Sequence, residues 1–322
     1  MHHRPRRNRK SAGVRNLVRE ISLSASDFIY PLFVHEGSEN EVIEAMPGCK
    51  RWSLAGLVKE AGEAYALGVP AVVIFPAVDE SLKNQTADEC WNDEGLIPRA
   101  IKALKAEYPG LVVVTDVALD PYNSDGHDGV VREGEIVNDE TVGILVKQAI
   151  CHAKAGADIV SPSDMMDGRV GAIRAGLDDA GFSEVSILSY TVKYASAYYG
   201  PFRGALDSAP KAGDKKTYQM DYANVSESVR ETILDEEEGA DMIMVKPAGA
   251  YLDIIYRVKQ TTTLPVAAYQ VSGEYLMIKS AAQAGWVDEK AVVLESLTGI
   301  KRAGADVILS YFAKDVAGWL KS

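Results

Sequence analysis

A (β/α)8 barrel is the fold the sequence predicts, and three observations carry it. Short apolar runs rich in β-branched residues recur eight times along the 322 residues. Amphipathic helical stretches separate them, and one recurring phrase joins a helix end to the next run. The phrase reads "HAKAGADIVSPS" (152–163), "EEGADMIMVKP" (237–247) and "KRAGADVILSYF" (301–312), with "AYALGVPAVVIFPAV" (64–78) as a looser copy. Gly closes the helix, Ala-Asp follows, and an apolar run begins.

Taken in order, the predicted strands are "FIYPLFV" (28–34), "AVVIFPA" (71–77), "LVVVTDVAL" (111–119) and "DIVSPS" (158–163). The second half adds "SILSYTVKY" (186–194), "MIMVKP" (242–247), "PVAAYQVS" (265–272) and "DVILSYF" (306–312). Their continuous apolar character suits parallel strands buried on both faces. Helical periodicity fills the gaps, as in "DETVGILVKQAICHAKAG" (139–156) and "VSESVRETILDEEEG" (225–239). A doubly wound open sheet is the alternative, but no Gly-x-Gly-x-x-Gly follows a strand to support a dinucleotide site.

The barrel is expected over residues 26–322, preceded by an arm over residues 1–25. That arm holds "RPRRNRKSAGVRNLVRE", strongly basic in a chain whose net charge is −12. It reads as an extension that docks on a neighbouring subunit through apolar anchors in "VRNLVREI". A nucleic-acid arm and the remnant of a targeting segment are the other readings. The acidic balance argues against nucleic acid and against an anionic membrane surface as partners. Hydrophobic content of 47% and charged content of 25% are those of an ordinary globular protein. Cys49, Cys90 and Cys151 lie far apart with no metal or redox spacing, and no signal-peptide core is present. A cytoplasmic location is the expectation.

One connection is long. "ASAYYGPFRGALDSAPKAGDKKTYQMDYAN" (195–224) carries aromatic and basic residues and is predicted to be an active-site lid, a surface insertion being the alternative.

In such a barrel chemistry sits at the C-terminal strand ends. Lys193 ends the fifth run and Lys246 the sixth, so two amines can enter one cavity. A lysine is mostly protonated at neutral pH; burial and a second cation both favour the free amine, which attacks ketones to form Schiff bases. Two amines suggest two carbonyl substrates. Arg203, Lys211, Lys215 and Lys216 in the lid, followed by Gln219, suit a substrate carboxylate. Tyr269, Ser272 and Tyr311 can supply hydroxyls to a second one. "DVALDPYNSDGHDG" (116–129) gathers Asp116, Asp120, Asp125 and Asp128 with His127, as metal ligands, ammonium binders, proton carriers or a solvated turn. The spacing is not that of an EF-hand, and without cysteines a structural zinc site is not expected.

These stretches, with "SPSDMMDGR", "SYTVKYASAYYGPFR", "GDKKTYQMDYAN", "MVKPAGAYLD" and "AAYQVSGEY", resemble the porphobilinogen synthase (δ-aminolevulinic acid dehydratase) family over nearly the whole chain. The resemblance implies a lyase that condenses two molecules of 5-aminolevulinate to porphobilinogen, with loss of two waters, in tetrapyrrole synthesis. It implies Schiff bases at Lys246 on the propionate side and Lys193 on the acetate side. Arg203, Lys215 and Gln219 then match the acetate-side carboxylate clamp, and Tyr269, Ser272 and Tyr311 the propionate-side set. Lys215 stands where many relatives carry arginine, trading a bidentate clamp for a point charge.

Ala118, Asp120 and Asp128 occupy positions that are cysteines in the zinc-dependent branch, so the chain resembles the aspartate-rich, zinc-independent one. Asp125 stands where relatives commonly carry histidine. Asp116, Asp120 and Asp128 are candidate active-site acids. Glu231 matches a remote glutamate that binds allosteric Mg²⁺ in magnesium-responsive members. No organic cofactor is expected, and self-association into a homo-octamer through the arms is. A single-lysine aldolase-type barrel and a non-catalytic metabolite-binding barrel are the competing readings.

Overall fold

The computed structural model describes residues 2–206 and 210–321. Positions 207–209 of the predicted lid, residue 1 of the arm and residue 322 of the barrel lie outside the described residues. The barrel strands are β1 (Phe28–His35), β2 (Ala71–Ala77), β3 (Val112–Val117), β4 (Ile159–Pro162), β5 (Ser186–Lys193), β6 (Met242–Lys246), β7 (Val266–Gln270) and β8 (Val307–Ser310). Each pairs in parallel with the next, and β8 closes on β1 with Phe28 opposite Ile308. That last pairing makes the sheet a barrel and excludes the open doubly wound alternative.

The recurring Gly-Ala-Asp phrase has a physical function. Gly156, at φ 104°, caps the helix Asn138–Ala155 in the left-handed region that a side chain rarely adopts. The aspartate two residues on then reaches sideways to the preceding strand. Asp158 accepts from the Val113 amide at 2.8 Å, Asp241 from Ile187 at 2.7 Å, and Asp306 from Val266 at 2.8 Å. Three strands thus have an amide within their first two residues satisfied by a neighbour's carboxylate. This fixes register at the face of the barrel opposite the chemistry.

The sequence reading differs from the structure in several places. β3 stops at Val117 rather than residue 119, because Leu119 accepts from the Tyr122 and Asn123 amides in a turn. β7 stops at Gln270, and Ser272 opens the helix Ser272–Gln283, whose start is held by Glu274 accepting from the Val271 amide at 2.7 Å. Short hairpin strands Val130–Arg132 and Glu135–Val137, and the strand Lys50–Trp52, are too brief to show periodicity.

The 195–224 connection is also not structureless. A 3₁₀ turn at Ala197–Tyr199 leads into the helix Gly200–Leu206, and Met220 returns beside the end of β5. There its amide donates to the Lys193 carbonyl at 3.0 Å. Phe202 anchors the helix on the barrel rim, 5.2 Å from the Phe75 ring and 5.7 Å from Phe33.

The arm holds a 3₁₀ turn at Pro5–Arg9 and the helix Ala12–Leu17, both without buried residues. The barrel core begins to engage the chain at Leu23 and Ala25. Among the described residues no helix is long and apolar enough to cross a membrane.

Candidate active site

Parallel register delivers the two amines together. Lys246 of β6 lies opposite Lys193 of β5, at the last pair before both strands end. Both are buried. Both line a small cavity of about 30 Å³ together with Asp116, Asp120, Asp128, Arg203, Lys215 and Gln219. That is the scale of a single water, so substrates enter only if the overlying segment moves.

Lys246 sits in an aromatic box, its Nζ 4.9 Å from the Tyr190 and Tyr269 ring centroids, 5.1 Å from Tyr199 and 5.2 Å from Phe202. Burial there, reinforced by the neighbouring Lys193 charge, pulls its amine from 10.5 down to about 7. At neutral pH the free amine then rises from roughly one molecule in a few thousand to about half. Lys193 donates to the Ser163 carbonyl and lies 4.0 Å from Asp128 Oδ2.

The carboxylates split into two kinds. Burial and the adjacent Asp120 push Asp116 up to about 7, and its Oδ1 has no hydrogen-bond partner among the described residues. Burial also raises Asp120. Asp128 is equally buried, but Lys193 and Lys215 outweigh that and hold it at about 2. The group therefore offers a proton-holding acid beside an ionised carboxylate, the arrangement acid–base chemistry needs.

Lys215 is the surprise of the clamp. Its Nζ lies 3.2 Å from Asp120 Oδ2 and 3.2 Å from Asp128 Oδ2, buried with both. Burial would lower its pKa, but the two carboxylates win and raise it. Arg203 lines the same cavity with no ion pair among the described residues. A substrate carboxylate could meet Arg203 directly, whereas Lys215 must exchange partners first.

Other predicted residues fall elsewhere. Tyr269 and Tyr311 share a 2.9 Å hydroxyl–hydroxyl hydrogen bond, with Tyr269 against Lys246. Ser272 Oγ is turned to the 195–206 segment, accepting from the Phe202 amide at 3.0 Å. Lys211 and Lys216 do not line the cavity: they form exposed pairs with Glu80 at 2.6 Å and Asp214 at 3.4 Å. Their charge faces water on the outer side of the segment.

Glu231 is likewise outside the cavity. It stands on the helix Ser226–Glu237 and borders a larger groove of about 1060 Å³, rich in carboxylates but lined also by Lys211 and Lys216, that meets the cavity at Gln219. Burial raises it to about 7, offset in part by Arg169 and reinforced by Asp235, Asp167 and Glu227.

Sequence reasoning did not single out Ser163, Tyr190, Tyr199, Phe202 or Phe75. The run of aromatics around Lys193 and in "SAYYGPF" was the available signal.

Comparison with known proteins settles what this arrangement belongs to. A family model described as delta-aminolevulinic acid dehydratase matches residues 2–319. The chain belongs to the δ-aminolevulinic acid dehydratase family. It is similar to the chloroplastic delta-aminolevulinic acid dehydratase of Physcomitrium patens, 61% identical over 319 residues, covering 98% of this chain and 74% of that one. Delta-aminolevulinic acid dehydratase 1 of Arabidopsis thaliana, also chloroplastic, is 59% identical over 316 residues, covering 98% and 74%.

The crystal structure of delta-aminolevulinic acid dehydratase from Toxoplasma gondii ME49, in complex with the product porphobilinogen, superposes with a TM-score of 0.98. Identity is 54%, over 99% of this chain and 92% of that one. The chain thus carries porphobilinogen synthase activity, that of a lyase, on a TIM barrel. The aldolase-type and non-catalytic readings fall away. The expected cytoplasmic location is corrected by the same relatives, which are named chloroplastic.

Proposed function

We propose that Lys246 and Lys193 each bind one 5-aminolevulinate as an imine, and that the barrel mouth joins the two. The observation that carries this is the register pairing of the two buried amines at adjacent strand ends. Each amine attacks a ketone carbon and the resulting carbinolamine loses its oxygen as water, so two imines account for two waters. An imine drains electrons from the adjacent carbon, so the enamine carbon of one substrate attacks the imine carbon of the other, and that lysine then leaves as a double bond forms. The free amino group of one substrate adds to the remaining imine carbon and displaces the second lysine, returning both amines. Asp116, near 7, can give and retake the protons of these steps.

Arg203, Lys215 and Gln219 hold the acetate-side carboxylate, and Tyr269 and Tyr311 stand beside the Lys246 imine. Ser272 acts with them once the 195–206 segment moves and frees its hydroxyl. The test is the Lys193→Ala variant under single-turnover conditions. One substrate should still attach at Lys246 without porphobilinogen forming; product at the wild-type rate would overturn the two-imine reading.

The metal reading rests on donor chemistry. Ala118, Asp120 and Asp128 offer no thiolate, and both carboxylates are engaged by Lys215, a poor fit for zinc. Among the described residues no three His, Cys, Asp or Glu groups cluster for a metal. Mg²⁺ keeps most of its waters and needs only one or two carboxylates, which Glu231 with Asp167 beside its groove can supply. The ion would there act at a distance from the amines.

Self-association through the arm, toward an octamer, is supported by charge. The arm is basic and exposes Leu17 and Val18, whereas the groove beside Glu231 is lined by Asp125, Asp167, Asp221 and Glu227. The chloroplastic names of the relatives support a plastid location.

A further inference from the structure

We propose that His127 is a positioning residue that sets the place of Lys215, and with it the carboxylate-binding end of the substrate site. The inference rests on the reading of Lys215 as part of the acetate-side clamp. His127 belongs to the turn between Asp120 and Asp128 and is buried. Its ring grips the overlying segment on both sides of Lys215. Nε2 lies 2.9 Å from the Ala212 carbonyl, and Nδ1 lies 3.1 Å from the Tyr218 hydroxyl.

The partners assign the proton. A carbonyl can only accept, so Nε2 carries the hydrogen, and in the neutral ring Nδ1 then accepts from the Tyr218 hydroxyl. The Tyr218 oxygen in turn accepts from the Asp128 amide at 3.3 Å. Every donor in this chain has an acceptor when the imidazole is neutral. One ring thereby holds residues 212 and 218 against the loop that bears Asp120 and Asp128.

Lysine is a point charge on a flexible four-carbon stem and does not fix its own direction, unlike an arginine fork. Its backbone must therefore be held from outside. The Lys211 amide donating to the Asp125 carbonyl at 3.0 Å, and the Gln219 amide donating to the Lys215 carbonyl at 2.9 Å, complete the frame. Without His127 the Lys215 ammonium loses its set distance from an incoming carboxylate. The imines, formed on strand ends the ring does not touch, are left in place.

The experiment compares steady-state kinetics on 5-aminolevulinate with thermal melting for His127→Ala, His127→Gln, Tyr218→Phe, Lys215→Ala and the His127→Ala/Lys215→Ala double variant. His127→Ala should raise KM about tenfold, the scale of effect that a small misplacement of a binding group produces, with kcat within about threefold. His127→Gln, which keeps one donor and one acceptor, should restore most of the loss. Tyr218→Phe removes one hydroxyl and no packing volume, and should raise KM in the same direction should His127→Ala fail to fold.

The double variant should match Lys215→Ala alone, because His127 acts through Lys215. An additive double variant, or a lowered melting temperature with unchanged KM, would overturn the inference and leave the clamp standing. An unchanged KM in Lys215→Ala would overturn the clamp itself, and the inference with it.

Discussion

Lys246 stands opposite Lys193 across β5 and β6, so parallel strand register alone brings two amines to one cavity. Neither spacing in sequence nor a loop is needed, because adjacent strands lie about 4.8 Å apart wherever they pair. The Lys193 charge makes Lys246 a better nucleophile, since a second ammonium is disfavoured in a buried site beside the first.

Replacing the first amine should remove the chemistry and spare the fold. Lys246→Ala is expected to lower turnover by more than roughly 10³-fold, the scale seen when a covalent nucleophile is deleted. Its melting temperature should hold or rise, because burial already depresses this amine and the side chain stores unfavourable desolvation. Kinetics beside a melting curve decide it; a folded variant with most of its activity would remove the role assigned to Lys246.

The depressed amine sets a pH dependence with a definite sign. Only the neutral form attacks, so imine formation at Lys246 should climb about tenfold per pH unit below about 7 and level off above it. Lys193→Met removes the neighbouring cation, so Lys246 should hold its proton to higher pH and the midpoint should move up. A trapping titration followed by mass spectrometry reads both curves. An unmoved midpoint would mean that burial alone depresses the amine.

Arg203 is expected to matter for binding rather than stability. It is half-buried on the helix Gly200–Leu206, lines the cavity, and has no ion pair among the described residues to lose. Arg203→Ala should raise KM about 10- to 100-fold, the worth of one or two charge-assisted hydrogen bonds, and leave melting nearly unchanged. A large melting shift with unaltered kinetics would make it a structural residue.

Metal should act at the groove and not between the lysines. A zinc-selective chelator is expected to leave activity unchanged, while added Mg²⁺ stimulates it and enlarges the assembly seen by light scattering. Glu231→Ala should lose that response and keep basal turnover, because both amines remain. A variant that still responds fully, or one that loses all turnover, would place the ion elsewhere.

Much of this was legible in the sequence, for identifiable reasons. Buried parallel strands must be continuously apolar, so each barrel strand announced itself, and Lys193 and Lys246 stood out because an amine at the end of such a run needs a reason. The Gly-Ala-Asp repeat was visible, but the sideways bond from Asp241 to Ile187 was not, since it depends on which strands become neighbours. Ser272 was read at a strand end because the apolar run flows into a helix start without a break.

Charge along residues 195–224 could be counted but not aimed. Lys215 turned inward to Asp120 and Asp128 while Lys211 and Lys216 turned outward. Tyr190 lies within a predicted strand and Tyr199 within the predicted lid, and nothing in the sequence aims either ring at Lys246. Location was not legible at all: net charge and cysteine spacing report solubility and redox chemistry, not an address.

The central claim is that both amines carry substrate, and one measurement tests it most directly. The enzyme is incubated with 5-aminolevulinate, reduced with borohydride, digested and mapped by mass spectrometry. Reduction fixes each imine as a stable secondary amine, so the modified lysine identifies itself. The account predicts substrate adducts on Lys193 and on Lys246, each absent from the corresponding alanine variant. Adducts on Lys246 alone, under conditions that yield porphobilinogen before reduction, would contradict it.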